Sequence, residues 1–217
     1  MERKRVGIVI FNNVEVLDFC GPFEVFSTTR LNETAREVEP SPFEVLLVAE
    51  KPEPVLTVGG MRVVPQCTFD DCPHLDILVV PGGRGAREEQ LDNPIILDWI
   101  RTRAQKVETL TSVCTGAMLL GKAGLLAGLH ATTHWRALDR MRDTFPDVTV
   151  EYHKHFVHQG HVYTSAGISA GIDMSLKVVE EYFGETVARA TAENMEYPYP
   201  ETDERRIKRE PPTKRCS

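Results

Sequence analysis

The chain has 217 residues, enough for one full domain and scarcely for two. Hydrophobic residues make up 41% and charged residues 26%, the balance of an ordinary globule, and no apolar run approaches the ~18 residues of a membrane span. The net charge of -7 disfavours a nucleic-acid binder.

The charge is uneven. From Glu201 to Ser217 six basic residues stand against four acidic ones, so the first 200 residues carry -9. This Pro-containing tail reads as a solvated, partly flexible end over 196–217, following an α/β domain over 1–195. At the other end, basic Arg3, Lys4 and Arg5 precede only six apolar residues, Val6 to Phe11. A secretion signal needs about 7–15, so this segment reads as a first strand and the protein as cytoplasmic. The five cysteines (Cys20, Cys67, Cys72, Cys114, Cys216) form an odd, irregularly spaced set, which suits reduced thiols.

Apolar runs then alternate with helical patterns. Arg5–Phe11 is a continuous apolar strand. Asp18–Thr29 predicts a helix starting near Gly21-Pro22, because proline suits a first turn. Phe43–Ala49 is a second strand, and Val55–Pro65 an extended excursion turning at Gly59-Gly60. Asp76–Val80 is a third core strand, ending in Pro81-Gly82-Gly83. A helix over Asn93–Arg103, capped by Asp92 or Asn93, leads to a strand over Lys106–Val113. Helices are predicted over Thr115–Leu126, with breaks at Gly121 and Gly124, and over His134–Thr144, stopped by Pro146. Val148–Phe156 and His161–Thr164 predict a hairpin around Gln159-Gly160, and helices over Ala170–Phe183 and Glu185–Ala192 complete the chain. This alternation predicts a single flavodoxin-like α/β domain, a mostly parallel sheet with helices on both faces. Ligands in such sheets bind beyond the carboxyl ends of the strands, which directs attention to Asn12–Asp18, Pro81–Gly85 and Cys114.

Cys114 stands at a strand-to-helix junction followed by the compact residues Thr115, Gly116 and Ala117, the arrangement of a nucleophile elbow. The usual Gly-x-nucleophile-x-Gly is half met, since Ser112 replaces the first glycine. A helix N-terminus would favour the thiolate. Position alone leaves a buried core cysteine open beside a nucleophile. Asp18 has two readings from pattern, a helix cap and a general acid. Pro81-Gly82-Gly83 can be a tight turn or, with Thr115, a source of N–H groups for developing negative charge.

Four segments together resemble the ThiJ/PfpI superfamily, over about residues 5 to 195. They are VEVLDFCGPFEVF (Val14–Phe26), LVVPGG (Leu78–Gly83), SVCTGAMLLGKAGLLAGLHATTHW (Ser112–Trp135) and TSAGISAGIDMSL (Thr164–Leu176). Within it the sequence is most similar to isonitrile (isocyanide) hydratases, through Leu17-Asp18-Phe19-Cys20-Gly21-Pro22 and Cys114-Thr115-Gly116. Thr115 is not the His found after the cysteine in protease-like branches. The resemblance implies the class I glutamine amidotransferase-like fold and a homodimer. It also implies a cofactor-free lyase that turns an isocyanide into an N-substituted formamide, with Cys114 as nucleophile and Asp18 as general acid and base.

The alternatives are a glyoxalase-like activity on 2-oxoaldehydes, using Cys114, Asp18 and His134, and a ligand- or redox-sensing domain oxidised at Cys114. Related regulators carry a helix-turn-helix module, for which little chain remains after Ala192. His134 is a possible third catalytic residue, and equally the start of a helix. His153, His155, His158 and His161 crowd one hairpin, and Cys67, Cys72 and His74 another stretch, but neither has the spacing of a metal site. Solvated strand residues are expected at the former. Gly82-Gly83-Arg84-Gly85 lacks the frame of a phosphate loop, so no nucleotide cofactor is inferred. A small molecule is the expected partner, without nucleic acid or membrane.

Overall fold

The computed structural model describes residues 2–207. The predicted tail therefore falls partly outside the described residues, as does Cys216. Lys4–Val9 forms β1, and Val16–Thr28 forms α1. Phe43–Ala49 (β2) is followed by a small hairpin of Val55–Leu56 (β3) and Arg62–Val63 (β4), then by Cys67–Thr68 (β5). Ile77–Val80 (β6), a short α2 at Arg84–Arg87, α3 at Pro94–Ala104, β7 at Thr109–Ser112 and α4 at Gly116–Lys122 make the middle of the chain. His130–Ala131 (β8), Leu138–Thr144 (α5), Thr149–Val150 (β9), Phe156–Gln159 (β10), Val162–Ser165 (β11), Ala170–Phe183 (α6) and Glu185–Asn194 (α7) complete it.

Seven strands form one sheet in the order β10-β11-β7-β6-β1-β2-β5. All neighbours run parallel except the β10–β11 hairpin. The apolar strands are buried throughout β6 and nearly so in β1, because helices cover both faces. α1, α6 and α7 pack together as one layer, and α2, α3 and α4 as another. From β1 the chain passes to β2 on one side, then returns to β6 on the other and continues to β7. This places the topological switch between β1 and β6, where connections leave in opposite directions and open a crevice. The loops after these two strands meet there: Val14 bridges Gly83, and the Glu15 N–H donates to the Gly82 carbonyl at 3.0 Å.

Three element predictions need correction. Helix α1 starts at Val16, five residues before Gly21, and carries Pro22 inside it. The missing proline N–H is tolerated because Phe19, Val25 and Phe26 are buried along the helix, which packs against α6. Asp18 consequently lies in the first turn rather than at the N-cap, which is Glu15 without a side-chain cap bond. Helix α4 stops at Lys122 rather than Leu126, with Gly124 in the left-handed region at φ 77°.

The third correction concerns the strand predicted over Val148–Phe156, which is two separate pieces. β9 pairs in parallel with β8 in its own two-stranded sheet, and only Phe156 onward joins the β10–β11 hairpin. His153 and His155 lie between them, outside any strand, because the His155 ring is drawn to the buried Asp173 at 2.7 Å.

After α7 the chain stays on the body. Tyr197 and Tyr199 are half-buried, Pro200 is buried, and Arg205 donates to three backbone or hydroxyl oxygens of the body. Among the described residues no helix is long and apolar enough to cross a membrane.

Candidate active site

The site lies across the switch point and is built by the ends of β1, β6, β7 and β11. Strand β7 ends at Ser112, Val113 donates to the Val80 carbonyl at 3.0 Å, and the chain then turns sharply at Cys114. Cys114 has φ 57°, a left-handed conformation that a residue with a side chain adopts only when its surroundings impose it. Gly116 explains the sequence order of the turn. A Cβ there would sit 2.0 Å from the Val80 carbonyl oxygen, so only glycine lets α4 start directly against the end of β6. The elbow predicted at Cys114 is thus formed without the first glycine of its pattern.

The Cys114 side chain is 6% exposed, and Asp18 is fully buried. Asp18 reaches it from the first turn of α1. Its Oδ2 accepts the Gly82 N–H at 2.9 Å, while Oδ1 accepts no hydrogen bond among the described residues. Burial raises the Asp18 carboxyl from an ordinary 3.8 to about 7, partly opposed by the Gly82 N–H, with smaller contributions from the nearby Cys114 and the Ile168 backbone. Burial likewise pushes the Cys114 thiol up, and the Asp18 charge adds to the effect. The N–H groups of Thr115 and Ile168 act in the opposite direction on the sulfur. The lowered thiol expected from a helix N-terminus is therefore not what the site contains. Desolvation outweighs the dipole of a seven-residue helix, and the thiol and carboxyl behave as one pair that holds a single proton above about 7.

Gly82 and Gly83 differ from expectation in what their N–H groups do. The Gly82 N–H is engaged by Asp18, and the Gly83 N–H donates to Thr115 Oγ1 at 3.0 Å. They orient the acid and the threonine instead of facing open space. Gly82 must also be small, since a Cβ would lie 2.5 Å from the Thr115 nitrogen and 2.9 Å from Asp18 Oδ2. The N–H groups near the sulfur belong to Thr115 and Ile168.

Ile168 has no forewarning in the sequence. It is a β-branched residue at φ 56°, a third exposed, in the turn between β11 and α6. Only the parallel pairing of β11 with β7 sets it opposite Cys114. Thr133 was likewise unmarked, and its hydroxyl donates to the Cys114 carbonyl at 2.6 Å. The next residue, His134, borders the same turn. A Cβ on Gly167 would meet its Cδ2 at 2.1 Å, and its Nδ1 accepts the Arg136 N–H at 3.2 Å, capping a short 3-10 turn.

The other clusters resolve differently. His155 pairs with Asp173, and His158 stacks on Tyr163 with ring centroids 3.9 Å apart. Among the described residues no group of three or more His, Cys, Asp or Glu is arranged to hold a metal ion.

Residues 4–181 match the DJ-1/PfpI family. The chain belongs to the DJ-1/PfpI family. Among DJ-1/PfpI relatives, the isonitrile hydratase of Pseudomonas putida is 36% identical over 193 residues, which span 89% of this chain and 78% of that protein. The transcriptional regulator GbdR of Pseudomonas aeruginosa is 28% identical over 138 residues, 64% of this chain and only 37% of the regulator. A ThiJ/PfpI family protein from Pseudomonas syringae has the same fold, with a TM-score of 0.80 at 29% identity, covering 94% of this chain and 79% of that one. The DJ-1/PfpI scaffold thus serves an enzyme and a regulator among similar proteins, and the chemistry must be read from the site.

Proposed function

We propose that the protein is a cofactor-free isonitrile hydratase that adds water to an isocyanide to give an N-substituted formamide. The observation that carries this reading is the pairing of a buried thiol with a buried carboxyl whose pKa is raised to about 7. Such a carboxyl can both give and take a proton near neutral pH. The 36% identity to an isonitrile hydratase supports the choice of substrate class.

In the proposed reaction the pair starts with one proton and one negative charge. The Cys114 thiol passes its proton to the Asp18 carboxylate as its sulfur bonds to the terminal carbon of R–N≡C, and Asp18 delivers that proton to the same carbon, giving the thioimidate R–N=CH–S–Cys114. The Asp18 carboxylate then accepts a proton from water as its oxygen bonds to the same carbon. Asp18 gives that proton to the nitrogen and takes the proton of the new hydroxyl as the C–S bond breaks, so R–NH–CHO leaves and the proton on Asp18 returns to the sulfur to restore the pair. One carboxyl serves both half-reactions because the first leaves it in the form the second needs. Gly82 holds Asp18, Thr115 and Ile168 supply N–H groups to the sulfur, and Gly83 holds Thr115. His134, against Gly167 in the turn that holds Ile168, contacts the substrate in this reading, which kinetics of His134→Ala test. By family resemblance the enzyme acts as a homodimer, which light scattering of the purified protein measures.

The test is formamide production from a simple alkyl or aryl isocyanide. Thioimidate formation on Cys114 should be visible by mass spectrometry after rapid quenching. Loss of methylglyoxal without isocyanide turnover would replace this reading with the glyoxalase-like one. Absence of both reactions, with one equivalent of peroxide consumed at Cys114, would replace it with a sensor.

A further inference from the structure

The DJ-1/PfpI match ends at residue 181, yet residues beyond it reach back to the reacting cysteine. The segment around Asp203–Arg206 lies along residues 152–155. Glu204 bridges Lys154 in antiparallel fashion, and the Arg205 N–H donates to the His153 carbonyl at 2.8 Å. From this segment two hydrogen-bond paths run to the two peptide groups of Cys114. On one side the Asp203 carbonyl accepts the His155 N–H at 2.6 Å, the His155 carbonyl accepts the Ala166 N–H at 2.7 Å, and the Ala166 carbonyl accepts the Cys114 N–H at 3.0 Å. On the other side Arg205 Nη2 donates to the Thr133 carbonyl at 2.8 Å, and Thr133 Oγ1 donates to the Cys114 carbonyl at 2.6 Å. Arg205 also donates from Nε to the Tyr152 carbonyl and from Nη2 to Thr132 Oγ1, so three acceptors fix its guanidinium. Next to it Arg206 pairs with the fully buried Asp173 in the first turn of α6, the helix that follows Ile168.

We infer that residues 203–206 are a positioning strap for Cys114, with Arg205 as its principal positioning residue. The left-handed conformation of Cys114 is unfavourable for a residue with a Cβ and persists only while its peptide groups are held from both sides. Ala166, just beyond β11, and Thr133 do the holding, and the strap fixes both. A single planar guanidinium reaches these three oxygens from two nitrogens in a fixed fork, a geometry that the single ammonium nitrogen of a lysine does not provide. The strap therefore belongs to the catalytic geometry although it touches no reacting atom. Its kinetic consequence rests on the hydratase reading above, whereas its effect on the cysteine does not.

Two readouts on the full-length protein separate these. The first is the rate of iodoacetamide alkylation at Cys114, followed by peptide mass spectrometry and independent of isocyanide turnover. The second is kcat and KM with an aryl isocyanide. A displacement of about 1 Å at a reacting group can cost about a hundredfold, and Arg205→Ala, a partial loosening, is expected to lower kcat roughly tenfold with little change in KM. As the sulfur leaves its buried position, Cys114 alkylation should become several-fold faster, and added methylguanidinium should reverse both changes. Thr133→Val, a near-isosteric change, should act in the same direction. The double variant should be no worse than the poorer single one, because both act on one path. Wild-type alkylation of Cys114 in a folded Arg205→Ala or Thr133→Val protein would overturn the strap, as would additive effects in the double variant. If alkylation responds as stated but the wild-type protein turns over no isocyanide, the strap stands and the hydratase reading falls.

Discussion

Two cysteine sites in this molecule share a thiol pushed up by burial, one half-buried and one buried, and differ in their surroundings. Cys67 begins the edge strand β5, in contact with Cys72 five residues on, and burial pushes its thiol up to about 12. Cys114 is also pushed up by burial. The difference lies in the surroundings. Cys67 is in ordinary strand conformation and its nearby acid, Asp71, is exposed, with its oxygen bound to Thr68. Cys114 is held left-handed, beside a buried carboxyl near 7 and two backbone N–H groups. Cys114 is set apart by a partner able to hold its proton and by backbone N–H groups near its sulfur, and not by a low thiol pKa in isolation.

The sharpest way to break this comparison is to remove each thiol in turn. Cys114→Ala should reduce formamide production by about three orders of magnitude or more, the loss expected when a covalent nucleophile is deleted. Cys67→Ala should leave turnover within error in the same assay. Equal losses would show that the contrast between the sites has no chemical meaning.

Next in size is Asp18→Asn, which should lower kcat by about 10²–10⁴-fold, the range of a general acid–base group. The same variant separates stability from activity. A carboxyl with its folded pKa raised from 3.8 to about 7 binds its proton more tightly when folded, so its contribution falls as pH rises across that interval and stays low above it. Removing this cost should stabilise Asp18→Asn over the native chain by up to about 4 kcal/mol at pH 8, and by little at pH 4, measured by urea unfolding. In the native protein the one-proton form of the pair accumulates above about 7, so under the proposed reaction kcat/KM should rise with pH through that value and then level. A profile that falls through 7 would reverse the assigned starting state.

Gly82→Ala should come third. The new methyl group would press on the Thr115 nitrogen and Asp18 Oδ2, so destabilisation of about 1–3 kcal/mol by thermal unfolding is expected, with reduced turnover. The smallest effect is expected from Thr115→Val. It leaves the Gly83 N–H without its acceptor and removes the hydroxyl beside the sulfur, and roughly a tenfold fall in kcat is expected from the loss of one such group.

Much of this was legible in the residues, because each legible part rests on a local pattern. The apolar runs of β1, β2 and β6 and the small residues after Cys114 declare strands and a sharp turn without reference to distant chain. Asn93 before Pro94 declares a helix start, and its side chain does accept the Ile95 N–H. The positions of Asp18, Cys114, Gly82 and Thr115 were singled out on such patterns and on family resemblance, and the fold brings them together. Helix α1 begins upstream of Gly21-Pro22 because local proline preference is overridden by the burial of Phe19, Val25 and Phe26. The break near His155 has no local signal because its partner, Asp173, is 18 residues away.

What the chain alone determined is therefore the order of strands and helices, the family, and the residue types available at the switch point. What only the folded structure decided is the state of those residues. The shared proton follows from how completely two side chains are removed from water, a property of the whole packed core. The left-handed Ile168, the use of the Gly82 and Gly83 N–H groups, and the reach of Arg205 to Thr133 join segments tens of residues apart. No local preference encodes them, because their energy exists only once β7, β11 and the C-terminal segment lie side by side.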